Sequence, residues 1–231
     1  MRLDKFLCDG LGATRKEATK IIKSGDVTVN NVMVKSGAHK VTDTCVVEWQ
    51  NRVVKVHGPR YIMLFKPDGY VCSHEDGFNP TAFILLDEVK MENLHFAGRL
   101  DADTTGLVLI TDDGKWSHKI TSPKHKCEKT YRVWLVDEIG EDYVTQFEQG
   151  IELRNEREPT LPAKLEVIDS HQALLTIVEG KYHQVKRMFA ALGNKVEQLH
   201  RERIGDIVLD EQLEPGEYRY LTEQEVNSVW N

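Results

Sequence analysis

The N-terminal segment carries a series of helix and turn signals that leaves little freedom in how it folds. Thr14 and Glu17 stand three residues apart before an amphipathic stretch, which predicts a capping box and a helix that ends at Gly25. A shorter segment with apolar residues at helical spacing precedes it. Asn30 and Asn31 then separate two alternating valine segments, which is typical of a β-hairpin. The sequence therefore predicts a small N-terminal unit of two helices and a hairpin.

Charge divides the chain in the same way. The formal net charge is -7, but residues 1–40 hold eight basic and four acidic side chains, which leaves 22 basic and 33 acidic ones elsewhere. On the second predicted helix, Lys16, Lys20 and Lys23 follow one side at i, i+4 and i+7. A basic stripe on a short helix is often only a solvated face, although it is also the usual footprint of a nucleic-acid contact.

The stretches "RLDKFL" and "TRKEATKIIKSGDVTVNNVMV" together resemble the S4 RNA-binding domain, over about residues 1–48. The resemblance implies that this unit binds the RNA backbone. The residues implied to do so are Arg2, Arg15, Lys16, Lys20 and Lys23. Lysine and arginine on phosphates give affinity with little sequence information, which would help a second domain to find its target.

A larger body follows a connector. Residues 49–60, with a Gly-Pro break at 58 and 59, are predicted to be a linker, and residues 61–231 a second domain. Its predicted strands include "YIMLF", "YVCS", "LVLI", "KTYRVWLV", "AKLEVID" and "ALLTIVEG", and "HQVKRMFAALG" and the segment after "TEQE" are predicted helices. The fold class expected for the chain is α+β: a small N-terminal domain, then a mixed, mainly antiparallel sheet with flanking helices.

One loop of this body carries unexpected charge. In "GRLDADTTGLVLITDDG", residues 98–114, an arginine and two aspartates precede a short aliphatic run that predicts a buried strand closed by a turn at "DDG". Because the strand is anchored in the core, the loop presents its side chains from a rigid base. On spacing alone, Asp101 and Asp103 most often cap such a turn by accepting backbone N–H bonds.

The motifs "KPDGYVCS", "AGRLDADTTGLVLITDDG", "EKTYRVWL" and "GKYHQVKRMF", in this order behind an S4 unit, resemble the pseudouridine synthases and within them the RsuA family. The resemblance implies isomerisation of a specific uridine in 16S (small-subunit) ribosomal RNA, without a cofactor. It makes Asp101 the catalytic aspartate, and Asp103 falls on a variable position. Arg99 would fill the space that the target uridine leaves, Tyr131 would pack on the flipped uracil, and Lys186 would pair with Asp101.

The chemistry fits these residue types. The reaction breaks the bond between C1′ and N1, turns the uracil and rejoins it through C5, with no net redox change. A base inside folded RNA must first be extruded and then held against a flat side chain, which suits Tyr131. Ionised Asp101 has three possible roles, namely attack on C1′, addition to C6 and removal of the 2′ proton, and the sequence does not choose among them.

The composition indicates where the protein is located and what it binds. The chain contains no apolar run long enough for a membrane span or a secretory signal, so we expect a cytoplasmic protein. Its four cysteines are far apart and predict neither a zinc site nor a disulfide framework. The expected partner is ribosomal RNA, as the 16S RNA of a partly assembled small subunit, and we expect a monomer without membrane contact.

Three alternatives stay open at this point. A large-subunit (23S) ribosomal RNA enzyme of the same family would share the S4 unit and all four motifs. A non-catalytic S4-type assembly factor would keep the basic helix but would have no need for Asp101 or Tyr131. A hydrolase or nuclease that held a metal between Asp101 and Asp103 would need further ligands and would respond to a chelator.

Overall fold

The chain forms two compact units, Met1–Pro59 and Arg60–Asn231, in a computed structural model that describes residues 1–56, 58–74, 77–88 and 90–230. The predicted linker therefore includes one residue, His57, that lies outside the described residues. No helix within the described ranges is long and apolar enough to cross a bilayer.

The N-terminal unit follows its local signals closely. Its helices are α1 (Leu3–Leu11) and α2 (Arg15–Ser24), and its strands are β1 (Val27–Val29), β2 (Val32–Met33), β3 (Val47–Trp49) and β4 (Arg52–Val53). The capping box of Thr14 and Glu17 is present, and Gly25 ends α2 in the left-handed conformation. Asn30 and Asn31 both have positive φ, as the tight hairpin turn requires.

The predicted linker begins too early in the sequence. Trp49 and Arg52 are paired in the β3–β4 hairpin, which completes a sheet in the order β2-β1-β3-β4. Gln50 and Asn51 form its turn with positive φ, and Val54 packs in the core of this unit. "QN" is a weaker turn signal than the "NN" of the first hairpin, so the sequence pattern does not distinguish these two short strands from a connector.

The second unit is a large sheet with helices. Its strands are β5 (Tyr61–Lys66), β6 (His95–Phe96), β7 (Thr105–Thr111), β8 (Lys129–Leu135), β9 (Lys164–Val167), β10 (Gln172–Ile177), β11 (Val196–Ile204), β12 (Ile207–Val208) and β13 (Tyr218–Tyr220). Its helices are α3 (Gly114–Thr121), α4 (Tyr143–Gln149), α5 (Gln184–Ala191) and α6 (Glu223–Ser228). Short 3₁₀ turns cover Ala82–Leu85, Met91–Asn93 and Pro123–His125.

Strand order confirms the mixed, mainly antiparallel sheet. The main path is β13-β5-β7-β11-β8-β10-β9, with β6 added to β7 and β12 to β11. Strands β7 and β11 run parallel, and the other neighbours in the described residues are antiparallel. The α+β class expected from the sequence is therefore confirmed.

Strand β7 is buried on both faces of the sheet. Val108 and Ile110 pack in one apolar cluster, and Leu107 and Leu109 pack in the other. A strand covered on both sides needs no polar alternation, which explains why "LVLI" is a continuous aliphatic run. The loop that precedes β7 is thus attached to the most deeply buried element of the unit.

Two local predictions in this unit are wrong. "YVCS" does not form a strand, because only Val71 makes a bridge, to Thr81. "DDG" does not close β7 as a simple turn either, since Asp113 caps the start of α3 by accepting from the backbone N–H groups of Lys115 and Trp116. Asp in a turn and Asp at a helix N-cap look alike in sequence, and the burial of Trp116 selects the helix.

Candidate active site

A cleft of about 510 Å³ lies where the loop before β7 meets the segment before α5. Three stretches line most of it, residues 98–101, 121–123 and 177–186, together with side chains from β8 and β11. All four residues predicted for the active site line this cleft or lie at its mouth: Arg99, Asp101, Tyr131 and Lys186. The motifs that are far apart in sequence therefore converge in space.

Asp101 is held by two basic side chains from the segment 183–186. Lys186 Nζ lies 3.4 Å from Asp101 Oδ2, so the predicted contact between these side chains is present. His183 Nε2 lies 3.3 Å from Asp101 Oδ1. His183 has positive φ at the start of α5, which is uncommon for a residue other than glycine, and its ring lies against the carboxylate.

Asp103 is closer to Lys186 than Asp101 is. Its Oδ1 lies 2.5 Å from Lys186 Nζ. Burial alone would raise the pKa of the Asp103 carboxyl, but the hydrogen bond and charge of Lys186 outweigh burial and lower it. The lysine thus joins two carboxylates, and the resemblance that left Asp103 as a variable position gave no hint of this contact.

Tyr131 lies on β8 with its ring almost fully buried in the cleft wall. The alternation of "KTYRVWL" places Lys129, Tyr131 and Val133 on buried positions of the strand. Arg99, by contrast, is exposed at the mouth of the cleft. Tyr131 is thus a buried flat ring in the cleft wall, whereas Arg99 is an exposed cation at the mouth.

Arg201 is a site residue that the sequence analysis missed. Its side chain is 1% exposed, and it donates from Nε to Leu107 O at 2.8 Å and from Nη1 to Arg99 O at 3.3 Å. Nη1 also lies 3.4 Å from the hydroxyl of Tyr131. One buried cation therefore joins β7, the aspartate loop and the tyrosine strand. The available signal was the arginine on an inward position of β11, two residues after the buried Leu199.

Gly106 allows this arrangement at the backbone level. Gly106 has φ +106° and pairs with Arg201 across the parallel β7–β11 contact. A Cβ atom at Gly106 would lie 2.3 Å from Arg201 O, which no side chain tolerates. The glycine is therefore required for the two strands to approach closely enough that Arg201 reaches the aspartate loop.

Lys66 also contacts the loop that carries Asp101. Its fully buried ammonium donates to Ala102 O at 3.1 Å and to Pro67 O at 2.9 Å, and burial lowers the pKa of Lys66. Ala102 directly follows Asp101, so the lysine fixes the backbone beside the carboxylate. The sequence around Lys66 gives no signal for this contact.

The comparisons with known proteins agree with this geometry. A family model described as RNA pseudouridylate synthase matches residues 60–191, and an S4 domain model matches residues 1–45. The chain is 75% identical to Ribosomal small subunit pseudouridine synthase A of Vibrio vulnificus, over all of both chains. It is 55% identical to the protein of the same name from Escherichia coli K12, over 99% of this chain and 100% of the relative.

A crystal structure of a pseudouridylate synthase is similar over 99% of each chain, with 53% identity and a TM-score of 0.73. The chain belongs to the RNA pseudouridylate synthase family. Enzymes of this family are isomerases, so the expectations of a pseudouridine synthase and of an N-terminal S4 domain are confirmed.

The cations predicted to bind RNA in the S4 unit of this synthase fall into two groups. Lys16, Lys20 and Lys23 are exposed along α2, as is Arg15, and no ion pair involves them within the described residues. Arg2 differs, because its guanidinium is 2.6 Å from the buried carboxylate of Asp4. We therefore expect α2 to supply the phosphate contacts and Arg2 to contribute less.

Proposed function

We propose that this synthase isomerises one uridine of small-subunit ribosomal RNA to pseudouridine, as a cytoplasmic monomer and without a cofactor. The substrate is supported by the names of relatives that match the whole chain, and by the S4 unit. One observation carries the active site: Asp101 lies in the cleft within 3.4 Å of Lys186 and 3.3 Å of His183, and Tyr131 forms part of the cleft wall.

The reaction needs a carboxylate that is ionised and correctly aimed. The ammonium of Lys186 lies 3.4 Å from one oxygen of Asp101, and the imidazole of His183 lies 3.3 Å from the other, so both oxygens have a partner that fixes their direction. Both contacts leave the carboxylate bordering the cleft, where it would reach C1′, C6 or the 2′ proton of a flipped uridine. Two contacts that fix the carboxylate raise the reaction rate because they hold the reacting atoms in near-attack geometry.

The remaining site residues are proposed to handle the base. Tyr131 offers a flat face for the uracil, and stacking of a base on an aromatic ring is worth about 1–3 kcal/mol. Arg99 at the mouth would occupy the gap that the extruded nucleotide leaves in the RNA, which lowers the cost of extrusion. The isomerisation adds and removes no group overall, because the proton that leaves C5 when C1′ bonds to it is balanced by a proton taken up at N1.

The test is a map of pseudouridine in both ribosomal RNAs, by carbodiimide labelling and primer extension. Cells that lack the protein are complemented with the wild type, with Asp101→Asn, or with Asp103→Asn as the matched control. We expect one small-subunit uridine to lose its modification, and the wild type and Asp103→Asn to restore it.

If Asp101→Asn restores the modification, Asp101 is not catalytic and only caps its turn. Loss at a large-subunit uridine would replace the proposed substrate with 23S RNA. Loss at no site would leave the assembly-factor interpretation.

A further inference from the structure

One segment of the acidic unit is basic throughout. Residues 60–231 hold 20 lysines and arginines against 31 aspartates and glutamates, yet residues 114–127 contain no acidic side chain. This basic segment carries four lysines and two histidines: Lys115, His118, Lys119, Lys124, His125 and Lys126. Such a local excess of positive charge is unexpected in a unit whose net charge is -11.

The lysines of the basic segment are available to a ligand. Lys115, Lys124 and Lys126 are exposed and Lys119 is half-buried, and no carboxylate pairs with any of them within the described residues. Most other cations near the cleft are engaged, as Lys181 and Arg187 are with Glu156. Unpaired lysines in an acidic unit attract polyanions rather than neighbouring side chains.

The basic segment is fixed in place beside the active site. Trp116 and Ile120 of α3 are fully buried, which keeps the lysines of that helix on its outer side. Residues 121–123 then line the cleft itself. The 3₁₀ turn Pro123–His125 follows directly, and Lys126 ends it in the left-handed conformation. Lys124 and Lys126 are therefore held at the rim of the cleft that contains Asp101.

An exposed aromatic ring borders the same cleft. Tyr182 is 76% exposed and lies against the His183 ring, with centroids 3.8 Å apart and planes at 21°. His183 in turn contacts Asp101. A tyrosine that is exposed but held flat by a neighbouring ring offers a free face for stacking.

We propose that the basic segment and Tyr182 form the RNA-docking surface of the second unit. The lysines contact phosphates that flank the target nucleotide, and Tyr182 stacks on an adjacent base. The inference rests on the proposed function for its substrate, but the docking surface does not depend on which uridine is modified. This surface lets the acidic second unit bind RNA independently of α2 in the S4 unit.

The two parts of this surface predict different signatures. Each lysine that contacts a phosphate releases counterions, so its removal lowers the slope of log Kd against log salt by about one. Stacking involves no counterion, so removal of the Tyr182 ring weakens binding about tenfold and leaves the slope unchanged. A solvated surface without a role in binding would show neither signature.

The experiment measures binding of a full-length small-subunit ribosomal RNA transcript over a range of salt, with all variants in the Asp101→Asn background. The double variant Lys124→Gln and Lys126→Gln is compared with a control of equal charge change, Lys164→Gln and Lys195→Gln, two exposed lysines outside the cleft. Tyr182→Ala is compared with Tyr182→Phe, which keeps the ring.

We expect the rim double variant to lower the salt slope by about two and the control pair to leave it unchanged. We expect Tyr182→Ala to weaken binding at every salt concentration, and Tyr182→Phe to bind as well as the parent. Equal slopes for the two double variants would overturn the lysine contacts, and equal affinities for the two Tyr182 variants would overturn the stacking contact.

Pseudouridine formation by the otherwise unchanged synthase is measured in parallel. If the wild type modifies no small-subunit uridine while the binding signatures hold, the proposed substrate fails and the docking surface stands. If modification occurs and both signatures are absent, the docking surface fails and the proposed function stands.

Discussion

Helix α2 and the cleft of the second unit use cations in opposite ways. On α2, Lys16, Lys20 and Lys23 are exposed and have no carboxylate partner within the described residues. In the second unit, Arg201 lines the cleft and Lys66 contacts the loop that carries Asp101; both are buried and donate to main-chain carbonyl groups. Exposed lysines give affinity for phosphates with little geometric demand, whereas buried cations fix the backbone around a reacting group. We therefore expect the same residue types to serve binding in one unit and positioning in the other.

The largest effect is expected from removal of a buried cation. Arg201→Met leaves the carbonyls of Leu107 and Arg99 without their donor and frees the aspartate loop. Displacement of a catalytic group by about 1 Å can cost about 100-fold in rate, so we expect kcat to fall about 100-fold and KM to change little. Steady-state kinetics on the transcript checks this.

The control for this prediction is Arg203→Met, which removes an exposed arginine from the same strand. It should keep kcat within about threefold of the wild type. Arg201→Lys retains the charge without the planar fork and should recover only part of the rate. A normal kcat for Arg201→Met would show that the buried cation does not position the loop.

A smaller effect is expected from Lys186, which is partly exposed and lies between two carboxylates. A hydrogen bond to a charged group is worth about 1.5 kcal/mol, so Lys186→Met should lower kcat about tenfold. The pKa of Asp103 is lowered despite its burial, because of Lys186, and it should rise in this variant, as NMR titration would show. Asp103→Asn should leave kcat nearly unchanged. A tenfold loss of kcat in Asp103→Asn would mean that the contact of Lys186 with Asp103, and not its contact with Asp101, supports the reaction.

The exposed cations of α2 should alter binding rather than rate. The triple variant Lys16→Gln, Lys20→Gln and Lys23→Gln should lower the salt slope of binding by about three, so that its KM exceeds that of the wild type most at low salt. Its kcat should match the wild type, because none of these lysines lies in the unit that holds Asp101. A fall in kcat with normal KM would mean that the lysines of α2 affect the reaction rate, as the buried cations of the second unit are expected to do.

The smallest effect is expected where an arginine is fully paired. The guanidinium of Arg219, outweighing burial, lowers the pKa of Glu225 to about 2, well below its unfolded value of about 4.3. The ionised carboxylate stabilises the fold above the unfolded pKa, and this contribution is lost as the pH falls through about 2.

Glu225→Gln should therefore lower the free energy of unfolding by about 1 kcal/mol at pH 7, with kcat and RNA affinity unchanged. Denaturant unfolding between pH 7 and pH 2 should show the difference from the wild type shrinking as the pH falls below about 4. A difference that stays constant over this range would mean that the ionised pair contributes nothing.

The N-terminal unit shows which features sequence can specify. The capping box at Thr14, the glycine at 25 and the asparagine pair at 30 and 31 act within a few residues of each other, so their structures were predicted correctly. β4 was missed because its turn residues, Gln50 and Asn51, are a weak signal, and the strands they join are short.

The site was predictable only in part. Resemblance gave the four residues that meet in the cleft, and the chemistry of the reaction explained their types. Nothing local in the sequence shows that Asp103 reaches Lys186, or that Arg201 reaches Arg99 O and Tyr131. These contacts depend on the register of β7 against β11 and on the backbone of Gly106, which are set only when the sheet is assembled.

The parallel pairing of β7 with β11 also sets the order in which the synthase gains its site. The bond from Arg201 Nε to Leu107 O joins positions 94 residues apart, so it closes a long loop and belongs to the late contacts of folding. A nascent chain that has exposed its S4 unit and the aspartate loop still lacks β11. During translation, the unit proposed to bind RNA is therefore complete before the active site is.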